Sequence, residues 1–317
     1  MRRLYRFTVP SECDGDPLDK IVLVQTPDIS RAFLRQIVDL GGVHVEGRRI
    51  RKCSMTLCTG WKIEIYLDGL PLTPFRLSDE HIIFRDKYIL VIDKPAGVDT
   101  QPTHARYKGT LYEAIKLFLQ DPNRPSIRPS LGMVQRLDRG TSGAMVFSTH
   151  PLAHKGLSRC FTDRSVEKKY LALVEGNPER DKGEVRSMLA RERKSNRVKS
   201  VPAGGKEAVT RFRVLERCES ASLLEVDLLT GRLHQIRAHL SEEGHPLAGD
   251  SLYGGSEKLG EVMVSRQMLH AAFLSFPHPV TDEILTFEVP MPSDMRSLLE
   301  DCRIGKGRAK PEIEAPE

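Results

Sequence analysis

No run of apolar residues in this 317-residue chain approaches the roughly 18 needed to span a bilayer. Met1-Arg2-Arg3-Leu4-Tyr5-Arg6 leads into polar sequence without the apolar region of a secretory signal, so a cytoplasmic protein with no membrane partner is expected. Nor is there a C-x-x-C pair among Cys13, Cys53, Cys58, Cys160, Cys218 and Cys302. Zinc ribbons and fingers need closely spaced thiolate pairs to close a tetrahedral site, and six scattered cysteines do not make a disulfide framework. No metal is expected, and the thiols are read as reduced. A strong charge imbalance is missing too: 48 Lys+Arg face 43 Asp+Glu, a net +5. So small a surplus neither requires nor excludes a nucleic-acid partner, because the placement of basic residues matters more than their sum. Internal repeats and long low-complexity tracts are also absent. What remains is 39% apolar residues, enough to bury a core, in a length that fits about two domains.

Composition divides the chain into residues 10–70, a punctuated linker at 71–80 containing Pro71-Leu72-Thr73-Pro74, a body over 81–302, and a tail over 303–317 with too little apolar content to order. In the first segment Ser30 is placed to cap a helix whose apolar positions Phe33, Leu34, Ile37 and Val38 recur at helical spacing, and Gly41-Gly42 stops it. Arg31 and Arg35 lie one turn apart on another face, open to water or to a phosphate backbone. Val43 to Ile50 alternates around a Glu46-Gly47 turn, and Trp61 to Tyr66 alternates as a further strand. Residues 1–67 hold eleven Lys+Arg against eight Asp+Glu, so any nucleic-acid binding there rests on local clusters.

In the body, Ile82–Asp86 and Tyr88–Ile92 read as paired strands ending at Asp93-Lys94-Pro95-Ala96-Gly97, which leaves Lys94 at a strand end beside an irregular loop, or simply on the surface. Gln135-Arg136-Leu137-Asp138-Arg139-Gly140-Thr141-Ser142-Gly143 sets one carboxylate between two arginines. Flanking guanidinium groups favour its ionised form, which suits a nucleophile or electrostatic anchor, although a capped turn with an ion pair uses the same residues. Thr230-Gly231 leads into a helix with the stripe Leu233, Ile236 and Leu240, placing His234 and Arg237 together on another face. The five-residue interval between His234 and His239 does not suit metal ligation on a helix. Tyr170, Ala172 and Val174 alternate along a strand, as any core aromatic and its neighbours do.

Two resemblances sharpen this. "ISRAFLRQIVDLGGVHVEGRRIRKCSMTLCTGWKIEI" resembles the S4 RNA-binding module, with Glu46 where Asn is common and Trp61 where Asp is common. The body resembles the RluA family of RNA pseudouridine synthases through "IIFRDKYILVIDKPAGV", "RLDRGTSGAMVFS", "EKKYLALVEG", "TGRLHQIRAHLSEEGHPLAGDSLYGG" and "LHAAFLSFPHP". The resemblance implies an α+β fold, with a small S4-type module followed by a larger catalytic domain on a mixed, mainly antiparallel sheet with flanking helices and loops. It implies an isomerase that converts specific uridines, in large-subunit ribosomal RNA or a precursor, without a cofactor and as a monomer. Asp138 would be the essential carboxylate, Tyr170 the ring over the uracil, and Arg237 the partner that keeps Asp138 ionised. Arg136 would fill the space left by the flipped base, with Leu137 and Ile236 lining the pocket. Lys20, Arg31, Arg35, Arg48, Arg49, Lys94, Arg139 and His234 would face RNA, joined by Arg51 and Lys52. The basic tract 191–199, read from its charge pattern alone, fits an RNA-facing loop or equally a solvated charge run.

Two body positions depart from the family pattern. Gln135 stands where His is usual, so that position cannot carry a titrating proton, and Phe273 stands where Arg is frequent. Competing readings are a non-catalytic S4-type RNA-binding protein and a nucleoside or glycoside hydrolase with Asp138 as nucleophile. The intact Asp138, Tyr170 and Arg237 weigh against the first. Arginines where a second carboxylate would be needed weigh against the other.

Overall fold

The structure is a computed structural model that describes residues 3–192, 195 and 197–305. The chain forms two compact units, Met1–Asp79 with Val98–Pro129, and Glu80–Gly97 with Ser130–Glu317. The first contains β1 (Arg3–Thr8), α1 (Leu18–Gln25), α2 (Arg31–Leu40), β2 (Val43–Val45), β3 (Arg48–Arg49), β4 (Lys62–Leu67) and α3 (Leu111–Phe118). Its sheet has the order β1-β4-β2-β3. Ile63 and Ile65 alternate toward a core shared with Leu18, Ile21 and Val22 of α1 and Leu34, Ile37 and Val38 of α2. The Ser30 hydroxyl accepts from Phe33 N at 3.2 Å, and Gly41, at φ 93°, ends α2 in the left-handed conformation that glycine allows, as the Gly41-Gly42 stop predicts.

Glu46 and Gly47 both have positive φ in the β2–β3 turn, as a tight hairpin requires. The Glu46 carboxylate accepts from Lys62 N at 2.6 Å, giving this non-glycine residue a compensating bond. The Val98–Pro129 segment, read from sequence as part of the body, belongs to this first unit. Its buried Arg106 donates to both Asp68 oxygens, at 2.8 and 3.1 Å, and to the Pro71 carbonyl, while Tyr107 N bonds to Leu40 O at 2.7 Å.

The second unit contains β5 (Ile82–Arg85), β6 (Ile89–Lys94), β7 (Gly132–Met133), β8 (Ser142–Ser148), α4 (Pro151–Thr162), β9 (Glu167–Glu175), β10 (Lys182–Arg191), β11 (Val198–Ser200), β12 (Lys206–Arg217) and β13 (Ala221–Leu228). It continues with α5 (Gln235–Glu242), β14 (Lys258–Leu259), β15 (Val262–Met263), β16 (Leu269–Pro277), β17 (Ile284–Glu288) and α6 (Ser293–Gly305). One eleven-stranded sheet runs β11-β10-β12-β13-β9-β16-β8-β6-β5, with β17 on β16 and β7 on β8. The β16–β8 pair is parallel and the other pairings in that sheet are antiparallel, so the mixed, mainly antiparallel α+β architecture is borne out. Helix α6 continues past residue 302, where the sequence suggested a tail, and Arg303 bonds to Glu216; the tail from 306 lies outside the described residues. None of the six cysteines is in a disulfide, and among the described residues no helix is long and apolar enough to cross a membrane.

Gly143 matters to this sheet. Its φ is 112°, and a Cβ there would lie 2.3 Å from the Ala271 carbonyl oxygen on β16. Ala271 pairs with Gly143 on one side and with Tyr170 on the other, so the bare glycine lets β8 approach the strand next to Tyr170. Gly143→Ala is expected to lower unfolding free energy by about 2–4 kcal/mol through backbone strain and overpacking, measured by denaturant melts. An unchanged midpoint would show that the two strands do not meet this closely.

Candidate active site

Asp138 lies in the loop between β7 and β8, and each carbonyl after it is gripped by a buried group. Lys94, fully buried at the end of β6, donates to the carbonyls of Pro95 (2.9 Å), Arg139 (3.2 Å) and Thr141 (2.8 Å). Gly97 N also donates to Arg139 O, and Arg266, itself doubly bonded to Asp294, donates to Gly140 O at 2.9 Å. Thr141 N closes the turn onto Asp138 O. A loop with its carbonyls tied this way holds its aspartate in one place.

Helix α5 supplies the partner. Gln235 fixes its first turn: its side-chain oxygen accepts from Thr230 Oγ1 and Arg232 N, and its amide donates to Val209 O and Thr210 Oγ1. Arg237, one turn in, points three ways. Nε and Nη2 donate to the two oxygens of Asp250 at 2.7 Å each, and Nη1 donates to Asp138 Oδ2 at 2.9 Å. The Tyr253 ring lies 5.0 Å from the guanidinium carbon. Its hydroxyl accepts from Val198 N at 2.7 Å and sits 3.0 Å from His234 Nδ1, while His234 Nε2 is 3.7 Å from Asp138 Oδ1.

The electrostatics are one-sided. Burial works against the charge on Arg237, but the bonds to Asp250 and the field of Asp138 outweigh it and hold the guanidinium protonated beyond the ordinary range. Burial pushes the Tyr170 phenol well up, and the nearby Asp138 charge pushes it further, so Tyr170 stands as a protonated phenol. Burial pulls His234 down despite Asp138, so its imidazole is neutral at pH 7. Asp138, with its side chain 23% exposed, keeps one oxygen off the guanidinium. Asp250, at 1%, has both engaged.

A family model for RNA pseudouridylate synthase matches residues 88–242. An uncharacterised RNA pseudouridine synthase of Aquifex aeolicus is 34% identical over 90% of this chain and 94% of its own. The chain belongs to the RNA pseudouridine synthase family. The ribosomal large subunit pseudouridine synthase D of Zymomonas mobilis is 33% identical over 92% of this chain and 96% of its own. Among solved structures, human RNA pseudouridylate synthase domain containing 4 matches with a TM-score of 0.58 and 25% identity, over 70% of this chain and 92% of that one. The enzyme is therefore an isomerase.

In this synthase the sequence-predicted trio occupies one neighbourhood: Arg237 bonds to Asp138, and Tyr170 feels the Asp138 charge. Leu137 and Ile236 are buried, and Arg136 is exposed just before them. Three residues expected to face RNA are placed otherwise. Lys94 is internal, because three loop carbonyls need its ammonium. Arg49 is half-buried and donates to Gly41 O and Thr103 O, using the free carbonyl at the end of α2. The His234 side chain is enclosed between Tyr253 and Asp138.

Arg139 is half-buried. Lys20 pairs with Asp16 at 2.8 Å and Arg31 with Asp19 at 3.6 Å, while Arg35, Arg48, Arg51 and Lys52 are exposed. The predicted stripe on α5 also shifts: Leu233 is 37% exposed and precedes the helix, because His234 adopts a left-handed φ of 51° and the first helical residue is Gln235. Of the basic tract, Arg193, Lys194 and Asn196 lie outside the described residues, and Arg197 donates to Leu252 O. Where the family often has Arg, the Phe273 ring carries the Lys169 ammonium 5.2 Å from its centroid, which returns a charge to that spot.

Asp250 and Tyr253 were missed. Their signal was present as Gly249-Asp250-Ser251-Leu252-Tyr253-Gly254, but nothing in a linear reading tells that this Asp completes a guanidinium thirteen residues back.

Asp250→Asn is expected to lower kcat by roughly 10–100-fold with little change in KM, since Arg237 loses a charge-assisted bond that aligns it; equal kcat would refute that role. Burial also lowers His239 and His270. Unfolding lets these two and His234 take up protons, so stability is complete above about pH 6.5 and falls below it by up to about 1.4 kcal/mol per pH unit for each histidine. Urea melts between pH 7.5 and 5 check this, and a flat profile would contradict it.

Proposed function

We propose that Asp138 is the catalytic carboxylate of this synthase, and that its substrate is uridine in large-subunit ribosomal RNA. The observation that carries the first part is the division of Arg237 between two carboxylates, one saturated and buried, the other partly open with a free oxygen. Converting uridine to pseudouridine breaks N1–C1′ and forms C5–C1′, with one proton leaving C5 and one gained at N1. An anion fixed by a permanent cation suits stabilisation of, or attack on, the electron-poor carbon exposed as N1 departs. Tyr170, protonated in the resting site, serves as a flat contact for the base rather than as a resting-state proton acceptor. The base must leave its stack to reach such a site, and exposed Arg136 stands ready to occupy the gap.

The ribosomal target is supported by relatives named for the large subunit. The first unit is read as an S4-type RNA-binding module, with exposed Arg31, Arg35, Arg48, Arg51 and Lys52 on phosphates. The enzyme would act as a cytoplasmic monomer. Hydrolysis fits less well: a retaining glycosidase needs a second carboxyl group as acid, and Asp250 spends both oxygens on Arg237.

Asp138→Asn is expected to bring tritium release from C5-labelled ribosomal RNA below detection while RNA binding persists. Retained turnover would refute the assignment. Mapping pseudouridine in ribosomal RNA with and without the gene is expected to show sites lost from the large subunit; sites lost elsewhere would redirect the target.

A further inference from the structure

Most cations in the second unit are matched. Arg186, Arg211 and Arg213 have glutamate partners, Lys94 and Arg266 hold carbonyls, and Lys169 pairs with Glu167 at 3.1 Å. Lys168 differs. No side-chain hydrogen bond or ion pair among the described residues engages its half-buried ammonium, which has only the Phe161 ring at 5.7 Å from the centroid. Burial lowers its pKa, with no neighbouring charge acting in either direction. A partly desolvated cation without a counter-ion is a cost to the folded protein unless a ligand supplies the anion.

Its position indicates which ligand. Lys168 is two residues before Tyr170 on β9 and therefore on the same face of the strand. The second observation concerns Gly231, in the turn that leads to His234 and α5. Gly231 is exposed and has no left-handed φ, and the sole atom within 4 Å of an added Cβ would be Lys168 Nζ, at 3.7 Å. Neither backbone strain nor packing demands glycine there. Its missing side chain leaves the ammonium approachable from solvent, beside the turn that carries the site. The anion an RNA chain offers at every nucleotide is its phosphodiester.

We propose that Lys168 binds a backbone phosphate of the RNA close to the uridine being isomerised, through the opening left by Gly231. The inference rests on the synthase reading of the site and adds a contact that positions substrate without taking part in bond making.

The test uses the full chain with unmodified large-subunit ribosomal RNA transcribed in vitro, measuring affinity across about 50–200 mM salt. For Lys168→Met the expected result is a Kd raised about 3–10-fold at the low-salt end and a log–log salt slope shallower by about 0.7–0.9, the signature of one lost phosphate contact, with kcat within about 2-fold of the parent. Lys168→Arg keeps the parent slope. Gly231→Ala, at an exposed position, raises KM about 2–4-fold by partly covering the ammonium, and tests the same contact without altering the lysine. An unchanged slope in Lys168→Met, or a kcat loss at constant KM, overturns the proposal. Because the slope is a binding measurement, it decides on Lys168 even if the parent forms no pseudouridine in this RNA, a result that would count against the ribosomal target instead.

Discussion

A buried guanidinium is tolerable only if its charge and its donors are met, and Arg237 meets both requirements unequally. Asp250 takes the Nε–Nη2 edge with two bonds and is itself sealed from solvent, so this pair is a fixed internal salt bridge. The remaining Nη1 then reaches Asp138 with a single bond. One aspartate is thereby consumed in structure and the other is oriented but left with lone pairs to spare. The same cation locks one carboxylate in place and leaves the other, the one proposed as catalytic, partly open to solvent.

The geometry depends equally on the sheet. Tyr170 and the Asp138 loop come from β9 and from the start of β8, which are separated by β16 and meet through Ala271. Gly143 permits that close parallel approach, and Lys94 and Arg266 collect the carbonyls of the loop that precedes it. Buried cations binding neutral carbonyl oxygens make the loop rigid without adding another negative charge beside Asp138. The ring of Tyr253 on Arg237, with its hydroxyl between Val198 and His234, links the β11 strand to the same cluster.

Burial then sorts the remaining titratable groups. It keeps Tyr170 protonated and His234 neutral, so the neighbourhood contains one permanent cation, one enclosed anion and one accessible anion. Such a site suits a reaction that shifts charge within a nucleoside and ends with no net change in protonation. Lys168, outside this balanced group, is a half-buried ammonium with no ion-pair partner among the described residues, and it is proposed to meet a phosphate of the substrate.

Much of this was readable in the linear chain. Helix α2, its Ser30 cap and Gly41 stop, and the strands flanking Glu46-Gly47 follow from local spacing and turn chemistry, which act over a few residues. The motifs around Asp138, Tyr170 and Arg237 were legible because each is a short contiguous run of residues whose pattern can be read without knowing the fold. Other features depended on partners far along the chain. Lys94 and Arg49 read as surface cations until long-range packing supplied their carbonyls, from residues 45 positions away for Lys94 and 54 for Arg49. Segment 98–129 joined the first unit through Arg106 and Asp68, 38 positions apart. The sequence by itself determined which chemistry is present. The tertiary structure decided which charges are spent on the fold and which stay accessible, because an ion's environment depends on what packs around it and not on its neighbours in sequence.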